Sequence, residues 1–246
     1  MMNLRHSAKT LVVSAIALTV CMQSGCSNPT DAGKTASRKV DEIFEPLNVA
    51  TQPGAAVMII RDGKILHKGH YGFADLDRGI PITSETNFRL ASVSKQFAAM
   101  AIMILEEEGQ ISYDDPISQY VPELAAYPGV TVRHLLQHTG GLPDYYDLID
   151  TSGDVPTNDD ALRLLGEMAS PAFAPGERYE YSNPGYDMLG PIVEAAAGRP
   201  FVDFVRERIC QPLNMSNSLV HDHTFPDIPN RAIGYDPVAD GFEPND

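Results

Sequence analysis

The sequence predicts an α+β fold with helices in the middle of the chain and strands toward its two ends. β-rich apolar runs at residues 55–60 and 65–73 flank Asp62-Gly63, a two-residue turn signal, and predict a hairpin. Between Ser92 and Cys210 the apolar residues recur mostly at helical spacing. The chain has 246 residues, 43% of them hydrophobic, and can therefore bury the core of one domain.

The most apolar helical segment comes shortly after Ser92. Residues 97–105 are all apolar, and Gly109 follows three glutamates as a stop signal, so we predict a helix that is buried on nearly all sides. Thr157 and Asn183 are the predicted N-caps of two later helices. The further predicted helices span residues 131–138, 158–169, 184–197 and 201–210.

Residues 1–25 are predicted to be a signal peptide. Arg5 and Lys9 precede an apolar run, residues 11–22, that is too short to span a bilayer as a mature helix. Gln23-Ser24-Gly25-Cys26 resembles a bacterial lipobox, although Gln23 stands where an apolar residue is usual. We expect an exported protein of the cell envelope or periplasm, with either a lipid anchor on Cys26 or ordinary cleavage nearby.

The remaining chain divides into a tether and a folded domain. Residues 26–39 are mostly small and polar, which predicts a flexible tether, and residues 40–246 form the predicted domain. Acidic residues outnumber basic ones by 33 to 18, which excludes the basic surface that nucleic acid requires. A lipidated Cys26 would leave Cys210 as a free thiol, predicted to be a small buried hydrophobe, without a disulfide framework.

Ser92 and Lys95 form an S-x-x-K pattern at a helix start. Their spacing puts both side chains on one helical face, a turn apart, which permits a hydrogen bond. A serine hydroxyl becomes a good nucleophile when a neighbouring base takes its proton, and a lysine in apolar surroundings can be that base. The alternative is a solvated lysine in a first helical turn.

Tyr181-Ser182-Asn183 is the second element with candidate chemistry, and it directly precedes Pro184 at the start of another helix. A phenol can relay a proton, and a carboxamide can hydrogen-bond a substrate amide. Asn183 can also serve as a simple N-cap, and the two roles are compatible.

Together these segments resemble the serine β-lactamase and penicillin-binding-protein superfamily, specifically the branch of class C β-lactamases, D-alanyl-D-alanine carboxypeptidases and related esterases. Tyr181 stands where class A enzymes have the first serine of S-D-N, which points away from that class. The resemblance runs in order through FRLASVSK (88–95), LLQHTGGLPDY (135–145), YSNPGY (181–186) and PLNM (212–215).

The resemblance implies a β-lactamase/transpeptidase-like fold, in which a helical subdomain accompanies an antiparallel sheet flanked by helices. It implies that Ser92 attacks an amide, ester or β-lactam carbonyl and forms an acyl-enzyme. Lys95 and Tyr181 would then accept the proton of Ser92, and Asn183 would bind the substrate. The implied substrate is a small molecule or a peptidoglycan peptide, and no metal or organic cofactor is needed.

His138-Thr139-Gly140 looks like the third family motif, which is K-T-G or H-x-G. That motif follows the tyrosine motif in the family, whereas these residues precede Tyr181, so we interpret them as structural. His134 and His138 have the i, i+4 spacing of a zinc site, but Leu135 stands where the glutamate base belongs, and no metal site is expected.

The third motif does not occur between Tyr181 and Asp246. Residues 232–242 resemble the start of a strand and turn without a return strand. We therefore expect that the late sheet strands are missing from this chain and that turnover is low or absent. The alternative to an enzyme is a non-catalytic or merely acylatable envelope lipoprotein, a truncated remnant of such an enzyme.

Cys26→Ser tests the lipid anchor. If Cys26 is lipidated, this variant should move from the membrane fraction to the soluble fraction, because no acyl chains remain to bury in the bilayer. Fractionation of cells that produce either form measures this. Membrane binding that persists in the variant would contradict the anchor.

Overall fold

The computed structural model describes residues 29–148, 157–221 and 227–245. The predicted signal peptide and Cys26 lie outside these residues. The chain divides into two compact units. Within the described residues, the first unit consists of residues 29–45 and 57–69, and the second consists of residues 46–56 and everything from residue 70 onward.

The first unit contains a helix in place of most of the predicted tether. This helix, α1, spans Pro29–Phe44, so the expectation of a flexible segment over residues 26–39 is corrected from residue 29 onward. Alanine, lysine and arginine favour helices, and Arg38 and Glu42 form an exposed ion pair of 3.5 Å one turn apart. Small and polar composition therefore failed to distinguish a linker from an exposed helix.

A β-hairpin follows, as predicted. Strand β1 spans Ala55–Arg61 and pairs with β2, which spans Lys64–Tyr71. Asp62 and Gly63 have φ values of 51° and 71°, and a type I′ turn requires such positive values at both central positions. Several apolar side chains of the hairpin are exposed, among them Ile60 at 61%.

Two further antiparallel pairs lie in the second unit. Strand β3 (Phe73–Asp75) pairs with β4 (Ile80–Pro81), and β5 (Tyr235–Val238) pairs with β6 (Gly241–Pro244). The expectation that residues 232–242 lack a return strand is wrong, because β6 is that strand. The strands of the described residues thus form three separate two-stranded sheets.

The other α-helices of the described residues lie in the second unit and agree with the predicted positions, except for one break and for Arg206–Cys210, the second half of the predicted helix over residues 201–210, which is a π-helix. They are α2 (Lys95–Glu107), α3 (Val132–Leu136), α4 (Asn158–Met168), α5 (Asn183–Asp187), α6 (Leu189–Ala197) and α7 (Phe201–Val205).

The break separates α5 from α6, where one continuous helix was predicted. Pro191 is the third residue of α6 and has no N–H to donate to the carbonyl of Asp187, four residues earlier. The N-cap of α5 is Ser182, whose Oγ accepts the N–H of Gly185 at 3.0 Å. The prediction of Asn183 as the N-cap is therefore wrong by one residue.

The predicted cap of α4 is confirmed. Thr157 accepts a hydrogen bond from the N–H of Asp160, and the Asp160 carboxylate accepts one from the N–H of Thr157 at 2.9 Å. This reciprocal pair satisfies two backbone donors that a helix start otherwise leaves unpaired. A local sequence signal was enough here because both partners lie within one turn.

Helix α2 is central to the core. We had expected it to be buried on nearly all sides, but one side of it is exposed. Ala101, Ile102 and Leu105 are fully buried, whereas Met103 is 51% exposed. A continuous apolar run carries no periodicity and so does not indicate which face is covered. The core packs α2 against α6 and α7; its buried side chains include Ile102, Leu105, Leu189, Ile192 and Phe204.

Cys210 belongs to this core, as predicted, and burial raises the pKa of its thiol. A thiol in such surroundings behaves as a small hydrophobe rather than as a nucleophile. Within the described part of the chain, helices fall short of the length and hydropathy that crossing a bilayer demands.

Gly141→Ala tests a tight turn between α3 and the loop that follows it. Gly141 has a φ of 69°, and a methyl group there would collide with the carbonyl oxygen of Phe173. We expect the free energy of unfolding to fall by about 3 kcal/mol or more, because backbone strain and overpacking add. Chemical denaturation measures this.

The matched control for this test is Gly79→Ala. Gly79 has a φ of 61°, and the added carbon would meet no described atom within 4 Å. Only the backbone strain of about 1–2 kcal/mol is then expected. Equal losses in the two variants would contradict the steric argument.

Candidate active site

Ser92 lies in a short 3₁₀ turn, Ala91–Ser94, that leads directly into α2. Ala91 has a φ of 45°, which alanine rarely adopts, and such strain is frequent next to reactive residues. Ser92 is exposed, whereas Lys95 is partly buried as the first residue of α2. Lys95 Nζ donates a hydrogen bond to Ser92 Oγ at 3.3 Å, the contact that their spacing permitted.

Tyr181 and Asn183 reach the same point from the N-terminus of α5. The hydroxyl of Tyr181, which is 50% exposed, donates to Ser92 Oγ at 2.9 Å. Lys95 Nζ also donates to Asn183 Oδ1 at 2.8 Å. The structure therefore brings Ser92, Lys95, Tyr181 and Asn183 together in one connected hydrogen-bond network.

The positive charge of Lys95 acts on the phenol of Tyr181. Lys95 Nζ lies 5.1 Å from the centroid of the Tyr181 ring. Hydrogen bonding with Lys95, and secondarily with Ser92, holds the pKa of Tyr181 below its ordinary value. A phenol with a lowered pKa is converted more readily into the base that takes a serine proton.

His138 packs against the ring of Tyr181 and accepts a hydrogen bond from the next residue along the chain. Its Nδ1 accepts the backbone N–H of Ser182 at 3.0 Å, which puts the proton of a neutral imidazole on Nε2. Its ring lies 4.6 Å from the ring of Tyr181 and 4.8 Å from that of Tyr186. Burial, and then the charge of Lys95, lowers the pKa of His138. The structural interpretation of this residue therefore fits the geometry.

Comparison with known proteins identifies the family. A family model described as Beta-lactamase matches residues 40–245. The chain belongs to the Beta-lactamase family. Relatives and solved structures bear out both the family resemblance and the β-lactamase/transpeptidase-like fold expected from it.

Three comparisons illustrate the similarity. Penicillin-binding protein 4* of Bacillus subtilis (strain 168) is 35% identical over 204 residues, which are 80% of this chain and 45% of the relative. Esterase EstB of Burkholderia gladioli is 35% identical over 203 residues, which are 75% and 51% of the two chains. The crystal structure of a penicillin binding protein from Bacillus halodurans has a TM-score of 0.71 at 33% identity, covering 85% of this chain and 63% of that one. The chain spans about half the length of the curated relatives it matches.

In this Beta-lactamase family member, a polar cluster that the sequence did not predict lies next to the Ser92 hydrogen-bond network. The hydroxyls of Tyr145 and Tyr146 both donate to Oδ2 of Asp187, at 2.7 Å and 3.0 Å. Asp187 lies four residues after Asn183, so the two share a face of α5. This spacing was visible in the sequence, but the tyrosines lie 42 and 41 residues away, and no local pattern relates them to Asp187.

A metal centre has no support in the described ranges, where no group of three or more His, Cys, Asp or Glu residues is arranged to hold an ion. His134 is one of the two histidines with the zinc-like spacing. Its Nδ1 accepts the backbone N–H of Thr131 at 3.1 Å. Because Nδ1 of His138 accepts the N–H of Ser182, both histidines are engaged in holding backbone turns.

His138→Asn tests the supporting role of His138 through pH. Because the pKa of His138 is lowered in the folded chain, its contribution to stability is fully present above the unfolded pKa of about 6.5 and is lost as the pH falls. The variant keeps an acceptor for Ser182 and suits the φ of 56°, but it cannot be protonated. We expect the loss of thermal stability between about pH 7.5 and about pH 5.5 to be smaller than in the parent.

The matched control is His221→Asn, which removes an exposed histidine. Thermal unfolding of the three proteins at both pH values measures the effect. An acid-induced loss of stability that is the same in His138→Asn and the parent would contradict protonation of His138 as its cause.

Proposed function

We propose that this chain carries the acylation machinery of an exported serine hydrolase, with Ser92 as the nucleophile. The observation that supports this best is the convergence of Lys95 Nζ and Tyr181 OH on Ser92 Oγ, at 3.3 Å and 2.9 Å. With such neighbours, Ser92 has a phenol that becomes a proton acceptor once it is deprotonated and a nearby positive charge that favours that deprotonation.

In the proposed reaction, Tyr181 first loses its proton, and the phenolate, stabilised by the Lys95 ammonium group, takes the proton of Ser92 while Oγ attacks an amide, ester or β-lactam carbonyl. Tyr181 is the better candidate for the atom that receives the proton, since Lys95 lowers its pKa. The carbonyl oxygen becomes an oxyanion, which the backbone N–H of Ser92 would stabilise. When the carbonyl re-forms, the bond to the leaving group breaks and the proton passes to that group. Acyl-Ser92 is then released by water through the same steps.

Asn183 has a proposed role in substrate binding. Its Oδ1 accepts the hydrogen bond of Lys95 at 2.8 Å, which orients the carboxamide and leaves Nδ2 as a donor. An amide nitrogen can donate to the carbonyl of a substrate side chain or peptide. Asn183 would thus both hold Lys95 and orient the acyl group.

The proposed substrates are small esters, β-lactams or peptidoglycan peptides at the cell envelope, and the chemistry requires no cofactor. The similarity to a penicillin-binding protein and to an esterase supports this range. The proposed location is the cell envelope or periplasm, with a lipid on Cys26 as the proposed anchor. A chain that is acylated without turnover is the alternative, and the experiment below distinguishes the two.

The test is incubation with a fluorescent penicillin and with a fluorescent fluorophosphonate, followed by peptide mapping. We expect an adduct on Ser92, since its Oγ is the hydroxyl that Lys95 and Tyr181 both contact. Lys95→Ala should slow labelling by about 10²- to 10⁴-fold, as loss of a general base or of its charge does. Circular dichroism should show that the variant remains folded.

Ser94→Ala is the matched control, because Ser94 is an exposed serine of the same 3₁₀ turn. Its labelling rate should equal that of the parent. Adducts on another residue, or unchanged labelling of Lys95→Ala, would contradict the mechanism. The fluorophosphonate adduct is stable on any active serine, so turnover is read from the acyl adduct alone: a persistent penicilloyl-Ser92 together with no release of product from an ester would identify an acylatable binder, whereas release of product with a regenerated Ser92 would identify an enzyme.

A further inference from the structure

The carboxylate of Asp187 is held by two tyrosines of one loop. Tyr145 is only 2% exposed, Tyr146 is 46% exposed, and their rings stack at a centroid distance of 5.3 Å. Both hydroxyls donate to the same oxygen of Asp187. Two donors on one oxygen favour a carboxylate over a neutral carboxyl group, because a carboxylate accepts hydrogen bonds better.

This carboxylate lies beside the Ser92 network. Asp187 is the last residue of α5, one helical turn from Asn183, which accepts the hydrogen bond of Lys95. A negative charge at this position attracts the ammonium group of Lys95. It also repels the negative charge that forms on Tyr181 when that phenol loses its proton.

Burial, hydrogen bonds and neighbouring charges all affect the pKa of Asp187. The pKa of Asp187 is raised above its ordinary value, chiefly by burial; the hydrogen bonds from Tyr145 and Tyr146 and the charge of Lys95 act in the lowering direction, and the carboxylate of Asp144 adds to the rise. In return, the charge of Asp187 raises the pKa of Tyr181, against the stronger effect of Lys95. Lys95 and Asp187 thus act on Tyr181 with opposite signs.

We infer that Asp187 is a positioning residue of the Ser92 site: it fixes Tyr145 and Tyr146 against α5, and its charge opposes the loss of the Tyr181 proton. The inference rests on the proposed function in one respect, the role of Tyr181 as proton acceptor for Ser92. A purely structural role for Asp187 would instead hold the loop without altering the titration of Tyr181.

Asp187→Asn separates these two roles, because it keeps the size of the side chain and an acceptor for the tyrosines but removes the charge. The Tyr181 titration is measured by NMR with ring-labelled tyrosine, and Tyr181→Phe assigns the resonance. We expect the midpoint to fall by about half a pH unit or more in Asp187→Asn, since loss of a nearby negative charge makes phenolate formation easier. The pH profile of Ser92 labelling should move in the same direction.

Asp147→Asn is the matched control, because Asp147 is an exposed carboxylate of the same loop. It should leave the Tyr181 midpoint in place. A midpoint that is unchanged in Asp187→Asn, or that moves equally in both variants, would overturn the inference. If the parent does not label at all but the midpoint falls in Asp187→Asn alone, the proposed function fails while the electrostatic role of Asp187 stands.

Discussion

The hydrogen bonds of the Lys95 ammonium group are the interaction on which the rest of the site depends. Nζ donates to Asn183 Oδ1 at 2.8 Å and to Ser92 Oγ at 3.3 Å, and so joins the first residue of α2 to the first residue of α5. A partly buried cation is costly unless polar partners surround it. The same requirement that holds Lys95 in place therefore also fixes the distance between Ser92 and the start of α5.

Aromatic rings complete the surroundings of this cation. Lys95 Nζ lies 5.1 Å and 5.7 Å from the ring centroids of Tyr181 and Tyr186, where the negative face of a ring attracts positive charge. The ring of His138 lies against both tyrosines, and its lowered pKa favours the neutral imidazole there. A charged imidazole at that place would repel Lys95. The site thus combines one positive charge with neutral rings, while Asp187 adds the opposing charge at the next turn.

Local signals in the sequence predicted local structure well. The hairpin turn at Asp62 and Gly63 and the capping of α4 by Thr157 depend on residues within one turn, so their patterns were sufficient. One prediction failed because a longer range mattered: the exposed side of α2 at Met103 is decided by what packs against the helix. The return strand β6 lies only two residues after β5, but glycine and proline are poor strand formers, so its sequence did not indicate a strand. The tether replaced by α1 is a different failure, because polar composition suits linkers and exposed helices alike.

The sequence by itself determined the pair Ser92 and Lys95, because three residues along one helical face already bring the hydroxyl and the amine within reach. It also determined the family, through four ordered segments. Only the tertiary structure decided which groups join that pair. Tyr181 lies 89 residues from Ser92 and Asn183 lies 88 residues from Lys95, and the packing of α5 brings them together. The same holds for His138, which lies 44 residues from Ser182, and for Tyr145 and Tyr146, which lie 42 and 41 residues from Asp187: contacts across such separations depend on how helices and loops pack, and no spacing in the chain encodes them.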